Sequence, residues 1–163
     1  MDKKETFIAA IQKNEGLIYK ISSMYAGNIE DREDLVQEII YNLWKSFESF
    51  SQKSNLSTWM YRVAMNVSIY HFKRAKRKIS IVPMDAEVIY FQETDSVEVE
   101  ERWLSLQQHI KSLNPLDKGI VMLYLENKSH EEIAEIVGIS VSNVGTRISR
   151  IKEKLKQQIL KQQ

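Results

Sequence analysis

Apolar residues recur at helical spacing along most of the chain, and polar breaks cut them into separate elements. From Thr6 to Tyr25 the apolar positions are Phe7, Ile8, Ile11, Leu17, Ile18, Ile21 and Met24, with a break near Asn14-Glu15-Gly16. Ala26-Gly27-Asn28 predicts a stop and Asp31 an N-cap for the next helix. That helix, DREDLVQEIIYNLWKSF, carries a broad apolar stripe of Leu35, Ile39 and Leu43 flanked by Val36, Ile40, Trp44 and Phe47. Ser49 to Asn55 reads as a polar loop, after which Thr58 or Ser57 caps a helix over TWMYRVAMNVSIYHFKRAKRK. Val82-Pro83 forces extended backbone and marks a domain boundary. Helix resumes near Ser96 and runs through EERWLSLQQHIKSL to Asn114-Pro115, and LDKGIVMLYLEN predicts another helix ending near Asn127.

The final pattern, HEEIAEIVGISVSNVGTRISRIKEKL, holds two amphipathic segments joined at one glycine. Ser129 caps the first, in which Ile133, Ala134, Ile136 and Val137 share a side. Gly138 supplies the left-handed backbone of a tight turn. Ser140 caps the second, whose Val144, Ile148, Ile151 and Leu155 form one narrow stripe. Ser142, Asn143, Thr146, Ser149 and Arg150 lie roughly opposite, with Arg147 and Lys154 at the margins. A capped helix after a short glycine turn is the helix-turn-helix arrangement, whose second helix enters the major groove. Arg150 has the reach for guanine and Asn143 for adenine, whereas Arg147, Lys152 and Lys154 suit phosphates. The plainer alternative is a helical hairpin with a solvated basic face.

Composition sharpens this picture. A hydrophobic share of 43% over 163 residues supports buried cores, and only five glycines and two prolines favour helices over many-turned β architectures. The expected fold is all-α: two small helical domains joined by an acidic linker, the C-terminal one a helix-turn-helix. No cysteine is present, which excludes disulfides and thiolate metal sites. No apolar run approaches a membrane span and the N-terminus lacks a signal-peptide pattern, so a soluble, cytoplasmic protein is expected.

The net charge of +1 conceals strong segregation. Residues 71–78 hold five Lys or Arg and no acid, residues 79–101 seven acids and no Lys or Arg, and the chain from Ser140 onward six basic residues against Glu153. Two basic blocks around an acidic one predict two surfaces that meet a polyanion. In the helix from Thr58 to Lys78, Trp59, Tyr61, Tyr70 and Phe72 mix with Arg62, His71, Lys73 and Arg74, the combination that holds single-stranded nucleic acid. Each ring taken singly is as well explained as core. Asn66 in mid-helix is disfavoured by propensity and therefore draws notice. Enzyme chemistry finds little footing. His71, His109 and His130 are scattered, no glycine-rich phosphate loop occurs, and His130-Glu131 is followed by Ala134 where a zinc-protease helix needs a second histidine.

Three segments in order carry a resemblance. DREDLVQEIIYNLWKSFESF, LSTWMYRVAMNVSIYHFKRAKRK and LNPLDKGIVMLYLENKSHEEIAEIVGISVSNVGTRISRIKEKL together resemble the extracytoplasmic-function sigma factors, small alternative specificity subunits of bacterial RNA polymerase in the sigma-70 superfamily. The resemblance implies a non-enzymatic factor that binds core polymerase and reads the −10 and −35 promoter elements. It implies a sigma-two-like domain over 1–79, an acidic linker over 80–101 and a sigma-four-like domain over 102–163. Asp34, Leu35, Gln37, Glu38, Asn42 and Trp44 fall in the segment that docks on the clamp helices of the largest polymerase subunit. Ser54, Asn55, Ser57, Trp59, Arg62, Asn66, Lys73, Arg74 and Arg77 fall in the segments that read and open the −10 element, with Asn66 and the loop from Ser54 to Ser57 near an extruded base. Ser142, Asn143, Gly145, Thr146, Arg147, Ser149, Arg150 and Lys152 fall in the segment that reads the −35 element. Further implied partners are promoter DNA, the flap of the second-largest subunit, and a separate anti-sigma factor, in the family often membrane-anchored. No metal, cofactor or small-molecule substrate is implied. Gly145 departs from the arginine or lysine common in the family, so the −35 sequence is not transferable. The alternative function, a stand-alone dimeric regulator, requires operator binding without polymerase.

Overall fold

The computed structural model describes residues 2–50, 55–78 and 97–161, with side chains left undescribed at 76–78, 97–100, 102 and 103. Among the described residues there are eight α-helices, one 3₁₀ turn and no strand. The helices are α1 (Lys3–Lys13), α2 (Glu15–Tyr25), α3 (Ile29–Ser46), α4 (Leu56–Lys78), α5 (Val97–Lys111), α6 (Pro115–Leu125), α7 (His130–Val137) and α8 (Val141–Lys161), and the turn is Phe47–Ser49. They fall into two compact units, one carrying α1 to α4, the other α5, α6, α8 and the first part of α7. The residues flanking α7 on both sides belong to the second unit. The boundary expected at Val82-Pro83 lies outside the described residues. Helix α5 begins at Val97, so it includes the last residues of the expected acidic linker.

The first unit is built on α2, α3 and α4. Leu35, Ile39 and Leu43 recur every four residues along α3 and are completely buried, meeting Ile18 and Ile21 of α2 and the buried Met60, Ala64 and Met65 of α4 in one core. Each such side chain stabilises the fold by roughly 1.5–3 kcal/mol. Tyr25 buries its ring and donates its hydroxyl to Met65 Sδ at 3.4 Å. Helix α1 joins through Phe7, whose ring meets Trp44 and Phe47 edge-on at centroid distances of 5.0 and 5.3 Å.

Two helix starts differ from expectation. Asn28, not Asp31, caps α3: its side-chain oxygen accepts the Asp31 N–H at 2.7 Å. Asn55, not Thr58 or Ser57, caps α4 by accepting the Thr58 N–H at 2.7 Å, while Thr58 itself is buried. In both cases the asparagine precedes the first turn by the spacing a cap needs, and the residue first favoured already sits inside the helix.

In the second unit α5 and α6 pack on α8. Asn114 caps α6 with Pro115 at its first position. Helix α6 ends in a left-handed Asn127 with φ of 63°, which lets the Lys128 N–H reach back to the Leu123 carbonyl at 3.1 Å. Ile120, Leu123, Ile133 and Val144 are completely buried. No described helix is long and apolar enough to cross a membrane.

Candidate nucleic-acid interface

The helix-turn-helix forms as its caps dictate. Ser129 Oγ accepts the Glu132 N–H at 3.1 Å and starts α7. Gly138, with φ of 78°, ends it, and the N–H groups of Gly138 and Ile139 both donate to the Ala134 carbonyl, at 2.9 and 3.3 Å. Ser140 Oγ then accepts the Asn143 N–H at 3.1 Å and starts α8. Val144, Ile148 and Ile151 turn inward, so Ser142, Asn143, Thr146, Ser149, Arg150 and Lys154 are left on the exposed side of α8. That is a polar and cationic face free of acids up to Glu153, with short side chains at its N-terminal end.

Arg147, Lys152 and Gly145, also expected at the −35 element, face other parts of the unit, and Thr146 donates its hydroxyl to the Ser142 carbonyl at 3.1 Å. Arg147 Nη1 donates to Asp117 Oδ1 at 2.9 Å, and Asp117 in turn takes the Asn114 side-chain amide on its other oxygen at 2.9 Å. Arg147 therefore ties α8 to the start of α6. Lys152 Nζ sits over the Tyr124 ring, 4.4 Å from its centroid. Gly145 faces α7: a Cβ added there would lie 3.7 Å from His130 Nδ1. Below the exposed face, Leu106, Ile110, Val121, Leu125, Ile151 and Leu155 line an apolar cavity of about 120 Å³.

Helix α4 sorts its aromatics. Tyr61 is buried, Trp59 stacks obliquely on Phe50 with centroids 5.0 Å apart, and Phe72 meets Tyr25 edge-on at 6.3 Å. Tyr70 alone among the four is exposed, at 67%. Arg62, Asn66, Lys73 and Arg74 are exposed as well. Asn55 is exposed and capping, Ser57 half-buried, Ser54 lies outside the described residues, and of Arg77 only the helical backbone is described.

Helix α3 divides the residues assigned to polymerase docking. Asp34, Gln37 and Trp44 lie on its solvent side, together with Tyr41 at 63% exposure. Trp44 also packs on Phe7 and under Lys3, whose Nζ is 4.6 Å from the ring. Leu35 is completely buried, so it holds the helix in place and presents nothing to a partner. Asn42 donates to the Glu38 carbonyl at 2.8 Å. Glu38 turns toward α4, where Oε2 meets His71 Nδ1 at 2.9 Å and Oε1 accepts from Arg74 at 3.1 Å.

His71, grouped from the sequence with the cations that would meet nucleic acid, is instead a buried bridge between α3 and α4. Its second nitrogen, Nε2, lies 2.9 Å from Asp31 Oδ1, and only 9% of its side chain is exposed. A neutral imidazole has one N–H, so two carboxylate neighbours are satisfied together only by imidazolium. Burial opposes that charge, but hydrogen bonds and the charges of Asp31 and Glu38 outweigh it and raise the His71 pKa above its usual 6.5. No local pattern signals such a bridge. Tyr41 was missed although findable: like Tyr70, it lies far around its helix from the buried stripe.

Comparisons with known proteins agree with this arrangement. Residues 10–78 match the family model "Sigma-70 region 2", and residues 103–155 match "Sigma-70, region 4". The chain is 31% identical to the ECF RNA polymerase sigma factor SigW of Bacillus subtilis, over 96% of this chain and 90% of that one. It is 29% identical to the RNA polymerase sigma factor SigV of the same organism, over 99% and 98%. The fold resembles that of the sigma factor RpoE of Bartonella quintana, solved in complex with the anti-sigma factor NepR, with a TM-score of 0.77, 18% identity and coverage of 95% and 97%. It also resembles CnrH, solved with the cytosolic domain of CnrY, with a TM-score of 0.68, 16% identity and coverage of 96% and 89%. With exposed polar and cationic faces on α4 and α8 inside the two matched regions, the chain belongs to the extracytoplasmic-function RNA polymerase sigma factors, non-enzymatic subunits that direct promoter-specific transcription.

Proposed function

We propose that the work is divided between helices. Asp34, Gln37, Tyr41 and Trp44 on α3 dock on core polymerase, Arg62, Asn66 and Lys73 on α4 hold the opened −10 element, and Ser142, Asn143, Thr146, Ser149 and Arg150 on α8 read the −35 duplex. The domains run over 1–79 and 102–163, with the acidic segment 80–101 between them. The observation that supports this reading is the pairing of two acid-free exposed faces, on α4 and on the first turns of α8, with a polar, partly aromatic face on α3. Cations set register on phosphates and short polar side chains reach base edges. Extruding a base costs a few kcal/mol, which a pocket and stacking partners must return. Arg147 acts chiefly through Asp117, steadying α8. An anti-sigma factor regulates the protein, which acts in the cytoplasm where polymerase is found.

Start-site mapping with purified core polymerase, this protein and a genomic promoter library tests the division. Aligned start sites with two common upstream elements are expected. Confirmed core binding without selective initiation would overturn it, as would tight sequence-selective binding to duplex DNA by the protein alone.

A further inference from the structure

His130 opens α7 with an exposed side chain, and its ring stands beside the recognition helix. A Cβ added to Gly145 would lie 3.7 and 3.8 Å from Nδ1 and Cε1 of that ring, and both residues belong to the second unit. Among the described residues no hydrogen bond or ion pair engages the His130 ring. At about 100° per residue, Gly145 stands about 40° around α8 from Ser149 and about 60° from Ser142. It therefore marks the margin between the buried stripe and the exposed face. Glycine places no side chain on that margin, so the group that stands there is the imidazole from α7.

We propose that His130 is a positioning residue of the −35 interface: an imidazole N–H bonds one phosphate oxygen on the groove wall beside Gly145 and so fixes how α8 sits in the groove. This rests on the reading of α8 as the helix that enters the −35 duplex and adds a residue from α7. An α-helix with its side chains is ~10–12 Å across and the major groove is ~12 Å wide, so α8 fills the groove. A group on its flank then meets backbone rather than base edges. The first helix of a helix-turn-helix crosses that backbone. Here it is α7, whose eight residues comprise three glutamates, four apolar residues and His130, its single side-chain donor. A phosphate contact sets register and carries no base preference of its own.

The test uses reconstituted holoenzyme on a promoter found by start-site mapping. His130→Ala is expected to weaken promoter binding about tenfold, the scale of one hydrogen bond to a charged acceptor. The factor should be the same on altered −35 sequences. His130→Gln, which keeps a donor, should recover most of the loss, and neither change should move the unfolding midpoint or the affinity for core polymerase. Neutral methylphosphonates placed one at a time along the −35 backbone identify the partner. At one position the parent should lose what His130→Ala has already lost, and the variant should lose nothing further. If His130→Ala binds normally while Arg150→Ala weakens binding, the contact is wrong and the reading of α8 survives. If neither change matters, both fall. A loss that no single methylphosphonate absorbs, or one that comes with a lowered unfolding midpoint, overturns the phosphate contact.

Discussion

Replacing His71 tests whether one buried cation holds α3 to α4. His71→Gln keeps approximate size and removes the charge; His71→Ala removes the bridge. The parent makes two contacts of 2.9 Å to carboxylates, and bonds to charged groups contribute ~1.5–3 kcal/mol each. The Asp31 and Glu38 side chains are 30% and 37% exposed, so their freed charges regain water in place. Glu38 also keeps Arg74. Discounting for that screening leaves an expected loss of ~2–4 kcal/mol for His71→Ala at pH 6. The raised pKa fixes the sign of the pH dependence. A folded-state pKa above the unfolded one contributes its full stability below about 6.5 and loses it as pH climbs through the folded value. Urea unfolding followed by tryptophan fluorescence measures this in the first unit, with Trp103→Phe as background so that Trp44 and Trp59 report. The difference between parent and His71→Gln should be largest near pH 6 and shrink toward alkaline pH. A difference under about 0.5 kcal/mol at pH 6, or one that grows with pH, refutes the imidazolium bridge.

Other positions give sharper signs. Gly145→Ala should raise the stability of the second unit by ~0.5–1 kcal/mol, because the new methyl meets His130 at ordinary contact distance and a helix-interior glycine is removed. Gly138→Ala should cost ~1–2 kcal/mol in the same unfolding experiment, since φ of 78° penalises any Cβ. Arg147→Ala should lower stability by ~1–2 kcal/mol even without DNA; an unchanged unfolding midpoint would show that the 2.9 Å pair with Asp117 does not hold in solution. Tyr41→Ala should weaken core-polymerase binding by roughly 30-fold while leaving the fold intact, whereas Leu35→Ala should first unfold the unit, by ~2–5 kcal/mol.

The helical fold was readable because its signals are local. Leu35, Ile39 and Leu43 announce a buried stripe by spacing alone, and Ser129, Gly138 and Ser140 announce a turn by chemistry within three residues. The caps at Asn28 and Asn55 were misplaced by a turn because several capping residues stand close together in each segment, and only the folded backbone chooses among them. Glu38 was expected among the residues that dock on polymerase. It sits at the margin of α3's buried stripe, where a partner 33 residues away decides which way it turns. The His71 bridge was invisible for the same reason: its neighbours lie 33 and 40 residues upstream. Tyr70 is a different case. Its ring was left between core and nucleic-acid contact, although its angular position already set it on the far side.

The recognition helix is also a lever. Helix α8 runs 21 residues without interruption, from the exposed Ser142 past the cavity-lining Leu155. A rod of that length spans ~30 Å, so tilting it by about 10° swings one end by roughly 5 Å relative to the other. Hydrogen bonds to base edges do not survive such a swing. Whatever fills the cavity and shifts the rod therefore trades against duplex affinity, and bound duplex must alter the filling of the cavity by the same factor.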